Sequence, residues 1–185
     1  ALPHAIPHTH QDVEGGGTAF STYRSATTAA AVTGTAGQLT AASNSQNGRI
    51  SFVDTSTGEL FSTVSGSFDF RLQPGSGQAD GMSVILLPTG TQGTGSADFS
   101  TLGAAEYGEV PGALGIGFNI HCCGTSASGL VNDSSNNTIV ASIGGAIAQV
   151  EAPFDLSTSA FTGAVLEMNY GATCNEKYTM SLSED

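Results

Sequence analysis

No stretch of ten or more residues in this chain carries a helical stripe. Short runs rich in Val, Ile, Phe and Thr instead follow one another, each ended by Gly, Asn or Ser. Apolar residues that recur every second position suit a pleated strand with one buried face, and breakers at this frequency suit many short strands joined by turns. The pattern predicts an all-β chain: an antiparallel β-sandwich or barrel. At 185 residues the chain is long enough for one well-filled core and short for two.

Residues 1–17, with His4, His8, His10 and two early prolines, form an extended arm, and 18–185 form one domain. A strand begins at Phe20 and passes into an Ala-rich, weakly structured connection reaching residue 33. Residues 37–43 are a short strand or loop. Asn47-Gly48 is a hairpin turn signal leading into a strand at Ile50–Val53. Leu60–Val64 and Gly66–Leu72 read as two strands, the second with Phe68, Phe70 and Leu72 on one face. Met82–Leu87 is almost wholly apolar, which predicts a central strand covered on both faces. Residues 88–111 form a long connection. Ala146–Val150, Phe154–Leu156, Ala164–Tyr170 and Thr179–Leu182 supply further strands.

The most informative stretch is Gly112–Ile143, a strand, a polar segment and a strand. Leu114, Ile116 and Phe118 alternate with small residues; Ile139, Val140 and Ile143 resume the apolar pattern. Between them stand Asn119, His121, Cys122, Cys123, Asn132, Asp133, Asn136 and Asn137. Oxygen-rich side chains on a loop held by two apolar strands are a binding-site pattern. Two N-glycosylation sequons begin at Asn132 and Asn136 in the same segment.

Charge excludes some partners. The net charge is −12 and only Arg24, Arg49, Arg71 and Lys177 are basic. Phosphate backbones need clustered cations, so nucleic acid is excluded as a partner. No apolar run approaches the roughly 20 residues of a membrane helix. The start at Ala1, the low Lys content and the β-rich composition together lead to the expectation of a processed, secreted protein.

Three segments in order, SGSFDFRLQPGSGQADGMSVILLPT, PGALGIGFNIHCC and NDSSNNTIVASIGG, resemble the legume-type lectin domain of the concanavalin A-like superfamily. The resemblance covers about half the chain. It implies a jelly-roll β-sandwich that binds a glycan or polysaccharide in a shallow depression at its loop ends. The Asp of Ala-Asp-Gly accepts sugar hydroxyls in that family, which here implies Asp80, with Gly81 beside it and Asn119 and His121 near the sugar. An ionised carboxylate is a strong acceptor for two hydroxyls.

The same resemblance implies a calcium ion held by Asn119, the carbonyl of His121 and Asp133, with Asn136 or Asn137 completing the shell. The chain departs from the family here. Asn119 replaces an Asp, Gly117 an upstream Glu and Thr138 a His, so the neighbouring transition-metal site is expected to be absent. Calcium affinity rises with the number of carboxylates, and Asp133 alone survives, which predicts weak calcium binding or none.

The odd cysteine count leaves two arrangements open. Cys122 and Cys123 form a strained vicinal disulfide, or one of them bonds to Cys174 and the other is left for a second chain. Open sheet edges also lead to the expectation of a second copy, or a second chain, completing the sheet. Glycoside hydrolysis needs two carboxylates held together about 5 Å apart. The glutamates are scattered and Trp, the usual sugar platform, is missing, so the chain is read as a binding module and not an enzyme. The competing reading is a structural, adhesion or assembly protein built on the same fold without sugar.

Overall fold

The computed structural model describes residues 20–24, 31–33, 36–40, 48–52, 63–73, 81–87, 107–110, 112–121, 137–143, 146–170 and 176–184. Regular structure among them is entirely β. The strands are β1 (Phe20–Arg24), β2 (Ala31–Thr33), β3 (Ala36–Gln38), β4 (Gly48–Phe52), β5 (Thr63–Phe70), β6 (Gly81–Leu86), β7 (Leu114–Asn119), β8 (Thr138–Ile143), β9 (Ala146–Glu151), β10 (Thr162–Tyr170) and β11 (Glu176–Glu184). Every pairing between them is antiparallel. No helix among the described residues is long and apolar enough to cross a membrane.

The chain divides into two compact units, Ala1–Thr57 with Gln92–Thr101, and Gly58–Thr91 with Leu102–Asp185. In the first, β1 pairs with β4, Phe20 opposite Phe52 and Arg24 opposite Gly48. The hairpin turn expected at Asn47-Gly48 is corrected: Gly48 is already a residue of β4, paired with Arg24, and Asn47 lies outside the described residues. β2 and β3 pair separately, Thr33 opposite Ala36. β2 falls at the end of the stretch expected to be a weakly structured connection; its Ala-rich sequence has no alternation to betray a strand.

The second unit holds a four-stranded sheet in the order β6-β7-β8-β9 and a three-stranded sheet in the order β11-β10-β5. Cross-strand partners share a face. On one face of the larger sheet stand Met82, Phe118 and Ile139, with Val84, Ile116 and Ala141 in the next row. Of these, Met82, Ile116, Phe118, Ile139 and Ala141 meet Phe68, Phe70 and Ala164 of the smaller sheet, and Leu156, in one shared core. Phe118 is its centre: 0% exposed, with ring centroids 4.4 Å from Phe70 and 6.3 Å, edge-on, from Phe68. A side chain removed from water to this degree contributes about 1.5–3 kcal/mol.

Leu60–Val64 and Gly66–Leu72 were expected as two strands. Where described, Thr63–Phe70 is one continuous strand, because Gly66 stands in open space and breaks nothing. Met82–Leu87 was expected to be central. β6 instead ends the described sheet and is only half buried, whereas β7 is buried at every position. An apolar run records what a strand can tolerate on both faces; what covers it is decided elsewhere. Phe154–Leu156 is not a strand but a bend in the connection from β9 to β10.

Candidate functional site

β7 is the strand on which the site is built, and its two faces differ in kind. Even-numbered residues Leu114, Ile116 and Phe118 fill the core face. Odd-numbered residues Gly115, Gly117 and Asn119 line the other, where their cross-strand partners are Ile85, Ser83 and Gly81 on one side and Ser142, Val140 and Thr138 on the other. With two glycines in a row of three, this face carries little side chain over β7.

The segment Tyr107–Val110 lies in the space so left. Gly108 rests on the backbone of Gly115: a Cβ at Gly115 would fall 1.9 Å from the Gly108 carbonyl oxygen. Gly108 itself adopts φ +70°, a left-handed conformation natural to glycine. Tyr107 packs on Val140 and Ile147 and is 6% exposed. The chain then turns into β7 through Val110–Ala113, closed by the Ala113 N–H on the Val110 carbonyl at 3.0 Å, with Gly112 at φ +75°.

The Tyr107 hydroxyl reaches the end of β7, where it accepts a hydrogen bond from Asn119 Nδ2 at 3.3 Å. Nδ2 also donates to the His121 carbonyl at 2.9 Å, and Asn119 Oδ1 accepts the His121 N–H at 3.1 Å. The amide therefore pairs with the main chain two residues on, as a neighbouring strand would. Its orientation is set by this network: turned over, it would face N–H with N–H and oxygen with oxygen. Asn119 is 1% exposed, while His121, one step past the buried Ile120, is exposed.

Asn137 forms a second clamp at the same end of the sheet. Its carbonyl accepts the Ala152 N–H at 2.8 Å. Its Nδ2 donates to the carbonyls of Ala152 (3.3 Å) and Phe154, and its Oδ1 accepts the Leu156 N–H at 2.8 Å. This is what bends the chain at Phe154–Leu156 where a strand was expected. Asn119 thus fastens His121 just before residues 122–136, and Asn137 is itself fastened just after them.

Of the residues expected at the site, Gly81, Asn119, His121 and Asn137 are described; Asp80, Asp133, Cys122, Cys123, Cys174 and the 1–17 arm lie outside the described residues. Gly81, Asn119, Thr138 and Glu151 form one cross-strand row at this end. Gly81 has no room for a side chain, since a Cβ would fall 2.2 Å from the Phe118 carbonyl oxygen. Calcium requires six to eight oxygens converging on one point. The three expected ligand groups that are described do not converge. The His121 carbonyl faces an N–H donor of Asn119, Asn119 Oδ1 faces the His121 N–H, and Asn137 Oδ1 is turned to Leu156. Among the described residues no three of His, Cys, Asp and Glu group as a metal site.

Tyr107 is the participant that the sequence reading missed. It stands in a connection without period, but a cue existed: alternate glycines in β7 leave one face bare, and a bare face in a buried strand needs a cover. No family model matches the chain, and no curated protein is similar to it in sequence.

Proposed function

We propose that this chain is a secreted carbohydrate-binding module, lectin-like, on a concanavalin A-like β-sandwich, and that it binds a glycan or polysaccharide at the sheet end marked by Gly81, Asn119 and His121. The observation that carries this reading is the register. Gly81 stands directly opposite Asn119, so a strand start and a strand end reach the same edge, and exposed His121 follows. Sugars present hydroxyls on a flat ring and are held by oriented donors and acceptors on a rigid surface. The Asn119–His121 pair and the close-packed Gly81 backbone supply that rigidity. Asp80, next to Gly81 in the sequence, is the acceptor assigned to the sugar.

The test is a glycan-array screen of the purified chain in calcium and in chelator. We expect binding to one class of glycan in both conditions, lost on Asp80→Ala. No binding in either condition ends the reading.

The burial of Asn119 favours a second reading, a structural or assembly protein on the same fold, because a group 1% exposed serves the scaffold before it serves a ligand. That reading expects Asp80→Ala to leave assembly intact. Both readings expect two copies to pair through an open sheet edge. β9 ends the described sheet and exposes Val150 to 61%. Gel filtration should give a dimer that Val150→Lys weakens; a monomer at every concentration refutes the pairing.

A further inference from the structure

We infer that the side-chain amide of Asn119, seated under Tyr107, holds the main chain at His121 in the place of a cation, so that this end of the sheet forms without divalent metal. Three observations carry the inference. Asn119 Nδ2 directs its two hydrogens to the His121 carbonyl and the Tyr107 hydroxyl, at 2.9 and 3.3 Å, so an ion at that carbonyl would meet an N–H of the amide where it needs a second oxygen. Asn119 Oδ1 is directed to the His121 N–H at 3.1 Å. The remaining described candidate ligand, Asn137, is one residue from Thr138, the cross-strand partner of Asn119. Successive side chains on a strand point to opposite faces. Asn137 accordingly bonds Leu156, a member of the core on the other side of the sheet.

Asparagine suits this task because it both donates and accepts. Aspartate keeps the acceptor for the His121 N–H and can accept from the Tyr107 hydroxyl, but it loses the donation to the His121 carbonyl and sets a negative charge against that oxygen. That arrangement of oxygens is one a cation would stabilise. Asn119 is therefore a positioning residue for His121, and Tyr107 positions Asn119. The phenol ties the start of β7 to its end.

The experiment is thermal unfolding of the whole chain in calcium and in chelator, for the wild type, Asn119→Asp and Tyr107→Phe, with calcium titration calorimetry on each. The wild type should melt at one temperature in both conditions and show no heat of calcium binding. Asn119→Asp should melt roughly 4–8 °C lower in chelator, the shift expected in a chain of this size for one lost hydrogen bond and the charge repulsion that replaces it, and recover part of that loss in calcium. Tyr107→Phe, which loses one bond, should fall by about half as much and ignore calcium. A wild type that calcium stabilises overturns the inference. So does an Asn119→Asp chain that melts like the wild type, or one whose loss calcium does not touch. No sugar enters this test, so its failure is distinct from failure of the carbohydrate reading.

Discussion

Gly115→Ala is expected to lower the free energy of unfolding by about 3 kcal/mol or more, the upper end of what overpacking costs. The new methyl would fall 1.9 Å from the Gly108 carbonyl oxygen, 2.6 Å from its carbon and 2.8 Å from its Cα. All three are backbone atoms, so no rotamer change relieves the contact. Either β7 leaves register with β6 and β8, or Tyr107–Val110 lifts away. The second course is cheaper in hydrogen bonds, but it withdraws Tyr107 from Val140 and from Asn119. Urea unfolding measures the loss. Gly66→Ala is the control, since nothing lies within 4 Å of a Cβ there and a strand interior tolerates Ala better than Gly. Equal losses at positions 66 and 115 would mean that the close contact is irrelevant.

Asn137→Ala is expected to cost at least about 3 kcal/mol, because it removes three hydrogen bonds from backbone groups in a region largely closed to water. A buried group left without its partner costs about 1–3 kcal/mol. Leu156, whose N–H loses its acceptor, is 0% exposed, and Ala152, whose carbonyl loses a donor, is 7% exposed. Asn137→Asp separates the contributions: it keeps the Leu156 bond but points a carboxylate at the carbonyls of Ala152 and Phe154. It should be about as unstable as the alanine variant. Hydrogen exchange at the Leu156 amide would locate the damage, rising far more than exchange within β8. A variant within about 1 kcal/mol of wild type, on the scale of an ordinary surface change, would show that the clamp is incidental.

The parts of this fold that could be read beforehand are those in which a period dictates the outcome. Phe68, Phe70 and Phe118 were legible because alternation assigns them to one face each, and the core is where those faces meet. Asn47-Gly48 misled: a hairpin signal puts Gly48 inside the turn, whereas Gly48 is a strand residue paired with Arg24 of β1, far back in the chain. What escaped is what depends on distant partners. Tyr107 sits among Gly, Glu and Val with no repeat, and its role comes from contacts with Val140 and Asn119. Asn137 bonds residues 15–19 positions away, a spacing without signature in the sequence. Its clamp turned the expected strand at Phe154–Leu156 into a bend. Asn119 was placed correctly at the end of a strand, yet its role depends on which amide atom faces which neighbour, and residue type alone does not say that.

The two asparagine clamps have a consequence for how this chain can vary. Around β7 the glycines at 81, 108 and 115 stand where no Cβ fits, so substitution there is nearly closed. The described clamp bonds lie at 119–121 and at 137, on either side of residues 122–136. Between two fastened ends, each doubling of chain length costs only about 0.6 kcal/mol in closure entropy. Novelty at this end of the protein should therefore arrive through insertion and deletion between two fixed posts, leaving the sheet beneath untouched.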